Sequence, residues 1–160
     1  MSNRYPPVSF FFEVVFQDEG LDKEPVETRF QSVSGLNVEF QSESLKEGGE
    51  NRFEHQLPTR TKFSPLVLKR GLVDNSNLIA WFTDALFNFD IRPMNVQVRL
   101  KGYQNVAANQ PGSELKNLVV WDLVNAWPKK WNLSDLNAEQ NALAIETLEL
   151  NYQYFTVKYA

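Results

Sequence analysis

Apolar positions alternate along residues 8–17: Phe10, Phe12, Val14 and Phe16 fall on one face of a strand. The other face, Ser9, Phe11, Glu13, Val15 and Gln17, is partly apolar too, so this strand is central or covered by a partner. Residues 18–27 are acidic, contain Gly20 and Pro25, and read as a loop. Short strands follow at Phe30–Ser34 and Leu36–Ser42, broken at Gly35, which permits a positive φ or a bulge. After a polar stretch, Leu66–Arg70 is a strand ended by Gly71. Asp74-Asn-Ser-Asn then offers N-cap residues, and Leu78, Ile79, Phe82, Leu86 and Phe89 recur at helical spacing beside Trp81 and Ala85. The spacing predicts one helix over about residues 76–89, packed on a sheet.

Met94–Leu100 alternates, with Val96, Val98 and Leu100 opposite Gln97 and Arg99. Gly102–Gly112 is a turn-rich connection. Leu118–Ala126 is apolar on both faces, and Pro128 is expected to stop it. Residues 129–141 are polar, with a turn of helix expected around Ser134–Gln140. Residues 142–158 read as one long strand or a bent pair, with Leu148, Leu150, Tyr152 and Tyr154 opposite Thr147, Glu149, Asn151 and Gln153. About seven strands and one helix in a single domain, 1–160, indicate a mainly β barrel or sandwich.

Between the strands at 36–42 and 66–70 lies a long charged segment, about residues 41–62, with Gly48-Gly49 where a hairpin would turn. A compact barrel does not need such an arm for its own core. Long ordered loops usually carry function, and an arm of this kind most simply reaches another subunit. The alternative is a mobile surface hairpin.

Composition narrows the classes. The 160 residues suffice for one domain with a full core, and 12 Phe, 5 Tyr and 4 Trp could supply both a core and a buried subunit contact. A net charge of -4 argues against a surface that coats nucleic acid. There is no cysteine, hence no disulfide framework and no thiolate chemistry. The N-terminal residues do not read as a signal peptide, because the apolar run from Val8 to Phe16 is short and contains Glu13. No segment approaches the ~20 apolar residues of a membrane span, so no membrane anchor is expected.

Catalytic constellations are nearly absent. His55 is the one histidine and lies in the charged arm, where a solvated side chain is the simpler reading. There is no Walker-type loop and no GxGxxG. Asp18-Glu19 and Glu47/Glu50 lie in polar loops without visible means of shifting their pKa values. Neither an enzyme, a metal site nor a cofactor is expected. Lys69-Arg70 could pair with acidic groups of the arm or of a neighbouring subunit, or simply close an exposed strand end. Lys129-Lys130, flanked by Trp127 and Trp131, could form a sugar or nucleotide platform, though core or interface roles for the aromatics are simpler.

Several pieces, in order, resemble one family: Phe30-Gln-Ser-Val-Ser-Gly-Leu-Asn-Val-Glu39, the Glu47-Gly-Gly49 turn, Leu57-Pro58 through Lys62-Phe63, and Leu66-Val-Leu-Lys-Arg-Gly-Leu72. Ile79-Ala-Trp-Phe82, Asn125-Ala-Trp-Pro128 and Ala144-Ile-Glu-Thr-Leu-Glu-Leu150 complete the series. The chain is similar to tail tube proteins of contractile phages and inner tube proteins of phage-tail-like extracellular contractile injection systems. It departs at Leu57-Pro58-Thr59 and Ser64-Pro65, where glycines are common, and in its aromatic tail. The resemblance implies an Hcp-like β-barrel with one flanking helix and a long hairpin arm. It also implies hexameric rings stacked into a hollow tube, with a sheath around it and baseplate and terminator proteins at its ends. The lumen would carry a cargo effector or, in phages, DNA, without catalysis. Assembly would occur in the cytoplasm, and the finished particle would be extracellular, cell-associated or a virion. The arm contacts to other subunits and rings would come from Glu43, Leu45, Lys46, Glu47, Gly48, Gly49, Glu50, Asn51, Arg52 and Phe53, with Lys69 and Arg70. Two polar strand faces are candidates to line the lumen: Asn95, Gln97 and Arg99, and Thr147, Glu149, Asn151 and Gln153. Two alternatives stand beside the main tube subunit: a baseplate-proximal tube initiator, and a small-ligand or carbohydrate-binding β-barrel.

Overall fold

The computed structural model describes residues 10–17, 26–49, 51–72, 77–103, 115–139 and 143–159. Among the described residues, ten strands and one helix run in the order β1 (Phe10–Gln17), β2 (Val26–Phe30), β3 (Ser32–Ser34), β4 (Val38–Leu45), β5 (His55–Phe63), β6 (Leu66–Gly71), α1 (Asn77–Phe87), β7 (Met94–Tyr103), β8 (Leu115–Leu133), β9 (Ile145–Asn151) and β10 (Tyr154–Tyr159). The expected loops at 18–27 and 102–112 fall outside the described residues except at their edges, where 26 and 27 begin β2 and 102 and 103 end β7.

The main sheet has the order β2-β1-β7-β8-β9-β6-β3, with β10 also paired to β8. Every ladder in it is antiparallel. The alternation of apolar residues sets the register. Val14 lies opposite Val98, Val98 opposite Trp121, and Leu68 opposite Leu148. These residues and their period-two neighbours fill one core of Val14, Phe16, Phe30, Leu66, Leu68, Val96, Val98, Leu123, Leu148 and Leu150. The expected barrel is not closed by a ladder, because the path has two end strands, β2 and β3. Those ends are consecutive in the chain. The strand bends at Gln31, whose N–H donates to the Lys69 carbonyl at 2.9 Å, and its two halves pair with different neighbours, β1 and β6. The chain itself, rather than a continuous hydrogen-bond ladder, completes the circuit around the core.

The long strand β8 serves both halves of the sheet. Its first part pairs with β7 and β10, and its second part with β9. The switch occurs at Asn125, which has φ 51°, a left-handed conformation that asparagine tolerates better than most residues. Asn95 Oδ1 accepts from Asn125 N at 3.2 Å and pins the bulge. Pro128 does not stop this strand. It is buried opposite Leu150, and the register shifts just after it, so its missing N–H falls where the ladder is already interrupted. The final segment is the bent pair, β9 and β10, broken at Tyr152-Gln153. No helical turn forms over the described residues 134–139.

Helix α1 buries Leu78, Trp81, Phe82 and Ala85, with Trp81 edge-on to Phe16 at 5.9 Å. The predicted stripe is displaced, since Leu86 and Phe89 are exposed. Trp81 Nε1 donates to the Arg92 carbonyl at 2.8 Å and draws the chain back along the helix. The Asp84 carbonyl accepts from both Asn88 N and Asp90 N, and Phe89 turns through φ 55°. The helix therefore ends at Phe87, before Phe89 could join its inner face.

Candidate functional site

The arm is a separate two-stranded ribbon of β4 and β5. Its register runs from Val38↔Phe63 to Leu45↔His55, with an irregularity between Phe40 and Ser42. The turn includes Gly48 and Gly49, and Gly49 has φ 99°, which only glycine adopts without strain. At the tip Lys46 pairs with Glu54 at 3.4 Å, and His55 Nε2 lies 3.5 Å from Glu47. The Phe53 ring stands edge-on to His55 at 5.2 Å. His55 is the first residue of β5, exposed beside the turn rather than within it.

The ribbon is exposed on both faces: every β4 residue, and every β5 residue but Phe63. It nevertheless carries Val38, Phe40, Leu45, Phe53 and Leu57, each about half exposed or more. Alternation places Val38 and Phe40 on one face. After the irregularity on β5, Leu45 and Leu57 fall on the opposite face. The apolar surface therefore changes sides between the root and the tip. Glu43, Leu45, Lys46, Glu47, Gly48, Gly49, Asn51, Arg52 and Phe53 all lie exposed on this arm, while Glu50 is outside the described residues.

The Lys69-Arg70 pair divides. Lys69 is exposed, but Arg70 is 4% exposed within the chain. It occupies the inward face shared with Leu66 and Leu68, and its Nε donates to Glu146 Oε2 at 2.9 Å. Glu146 also accepts from Trp131 Nε1 at 2.9 Å, and the Arg70 guanidinium lies over the Phe30 ring. The pair belongs to the core, and sequence reasoning missed Glu146 as its partner.

The two polar strand sets lie on the reverse of the core sheet, since each alternates with core residues: Val96 and Val98, and Leu148 and Leu150. Gln97 and Arg99 belong to a polar chain that crosses four strands. Lys101 Nζ reaches Glu13 at 2.6 Å, and Arg99 reaches both Glu13 and Gln97. Gln97 donates to Asp122 at 2.6 Å, and Lys158 closes the chain on Asp122 at 2.7 Å. Burial raises the Glu13 carboxyl, but the hydrogen bonds and charges of Lys101 and Arg99 outweigh it and hold its pKa below the ordinary value. Asp122 behaves alike: burial raises it, and Lys158, Gln97 and Arg99 bring it below its ordinary value. Thr147, Glu149 and Asn151 are half-buried on the same reverse face of β9, and Gln153 is exposed at the strand break.

Among the described residues, no group of three or more His, Cys, Asp or Glu side chains could hold a metal ion. No helix among them is long and apolar enough to cross a membrane.

No curated protein matches the sequence. The fold is similar to a chain in the cryo-EM structure of the anti-feeding prophage baseplate, 6-fold symmetrised. That match has TM-score 0.78 and 28% identity, and it covers 97% of each chain. A chain of the extended sheath-tube complex of an extracellular contractile injection system, PVC, matches with TM-score 0.72 and 19% identity over 99% of this chain and 95% of that one. Hcp1 of E. coli EAEC 042 matches with TM-score 0.64 and 10% identity over 94% and 92%. At these identities the last two show a shared Hcp-like fold alone. The sequence pattern of the T4-like virus tail tube protein gp19 spans residues 8–156, and the chain belongs to that tail tube family.

Proposed function

We propose that this chain is the repeating subunit of the inner tube of a contractile particle, forming hexameric rings that stack head to tail. The observation that carries this is the arm. A two-stranded ribbon with no covered face is marginal in water, and this one exposes apolar residues on opposite faces at its root and its tip. Neighbouring copies in the same ring and in the next ring supply two such covers. A ring of identical copies joined head to tail closes, while stacking extends into a filament. The polar face with Asn95, Gln97 and Arg99 lines the lumen, the alternative being the face with Thr147, Glu149, Asn151 and Gln153. Its Arg99, Lys101 and Lys158 charges are engaged by Glu13 and Asp122, so the wall does not grip a polyanion strongly. The sheath surrounds the tube, baseplate and terminator proteins meet its ends, and an effector or DNA passes through it. The chain acts as a structural part without catalysis, assembled in the cytoplasm and delivered as part of a particle.

A second position in the same machine has its own support. The 28% identity is to a chain in a baseplate structure, whereas the sheath-tube match is at 19%. A tube initiator next to the baseplate would carry the same fold and arm but would meet a different partner on one ring face.

Deleting Glu47–Arg52 tests the contact role of the arm. The variant is expected to keep the thermal unfolding midpoint of the parent within a few degrees and to lose stacked tubes in electron micrographs. Tubes of normal length from the deleted chain would rule the arm out as the stacking contact.

A further inference from the structure

The arm has no buried residue of its own among those described, so its direction is fixed only at its root. There the β5 end residue, Phe63, meets Tyr152 edge-on at 6.1 Å and Phe155 at 5.2 Å. Tyr152 and Phe155 are in turn 6.1 Å apart. The Tyr152 hydroxyl donates to the Ser64 carbonyl at 2.6 Å, on the residue that follows the arm. Ser64 N donates to the carbonyl of Asn37, the residue that precedes it. A single tyrosine therefore holds one strand of the arm directly and the other through Ser64. Tyr152 itself sits in the break between β9 and β10, at a fixed point of the main sheet.

We propose that Tyr152 is the positioning residue of the arm: its ring and hydroxyl set the angle at which the hairpin leaves the body, and so present the arm correctly to the neighbouring copy. This rests on the reading of the arm as an inter-subunit contact. Small angular errors at a root grow with distance, and the tip lies several residues beyond Phe63. Edge-to-face aromatic contacts favour particular orientations beyond simple burial, and the hydroxyl adds a directional bond. Burial pushes the Tyr152 pKa up from 10.0 to about 12, so the hydroxyl stays a donor even at the alkaline pH where an ordinary tyrosine ionises.

The absence of cysteine makes the test clean, since introduced thiols are the only ones present. Spin labels at Asn51→Cys on the arm and Lys129→Cys on β8, both exposed, report the arm angle by pulsed electron resonance in protein diluted with unlabelled chain. Tyr152→Phe keeps the ring and removes only the hydroxyl. It is expected to unfold cooperatively near the parent temperature and to broaden the label distance distribution. It should also raise the concentration needed for tube formation roughly two- to tenfold, the span expected for one hydrogen bond. Tyr152→Ala should broaden the distribution further. If Tyr152→Ala fails to fold, Tyr152→Phe decides alone. A folded Tyr152→Phe with the parent distance distribution and parent assembly overturns the proposal. If the Glu47–Arg52 deletion stacks poorly while Tyr152→Phe is unaffected, only the proposal falls. If the deletion stacks normally, the contact reading falls, and with it the assembly half of the proposal.

Discussion

Glu13 and Asp122 each lie among cations on the reverse face of the sheet, held at 2.6 Å by Lys101 and at 2.7 Å by Lys158. A carboxyl whose pKa is lower folded than unfolded contributes stability above its unfolded value and loses it as pH falls through the folded value. Both pKa values are lowered, from ordinary values of 4.5 and 3.8. Denaturant unfolding should therefore show stability constant from neutral pH down to about pH 5 and falling below it. Glu13→Gln together with Asp122→Asn should flatten that fall; an unchanged acid limb would remove the ion chain as its cause. The same scale shows what the sequence could and could not convey. Arg70 looked like a surface cation because it follows Lys69 and precedes Gly71. The period-two run Leu66, Leu68, Arg70 already placed it inward, and Glu146, Leu148, Leu150 repeats that pattern on the strand opposite, where Arg70 and Glu146 are register partners. The sequence therefore held the signal as two matched alternations, each ending in one of two opposite charges. Removing either partner would leave a buried charge uncompensated, which typically costs several kcal/mol.

At the scale of elements, the arm was legible because charge, length and the Gly48-Gly49 turn all pointed to the same hairpin. The helix was legible in position and in Leu78 and Phe82 of its buried face, but not in Leu86 or Phe89, which are exposed because the helix ends at Phe87 and the chain turns at Phe89 through φ 55°. Pro128 misled because a proline forbids a strand only where its N–H is needed, and a bulge removes that need. Gly35, read as a break between strands, is more tightly specified than its neighbours. Its φ is 87°, and a Cβ there would collide with the Pro65 carbonyl oxygen at the root of the arm. Gly35→Ala should destabilise the fold by at least the ~1–3 kcal/mol of a strained backbone, measured by urea unfolding. A variant as stable as the parent would show that the root can shift, and would weaken the argument that the arm leaves the body at a fixed angle.

At the scale of the molecule, alternation predicted a mainly β fold around one core but not the way its sheet ends. The bend at Gln31 divides one strand between β1 and β6, and no local pattern marks which neighbour each half selects. The proposed assembly is likewise written only indirectly, as apolar residues on a ribbon that stands exposed among the described residues. Electron microscopy of the purified protein, with its mass determined in solution across a concentration series, tests the tube reading most directly. Six-fold rings that stack into hollow tubes as concentration rises are the predicted result. A chain that stays monomeric across the series, with no ring on the grid, would contradict the account.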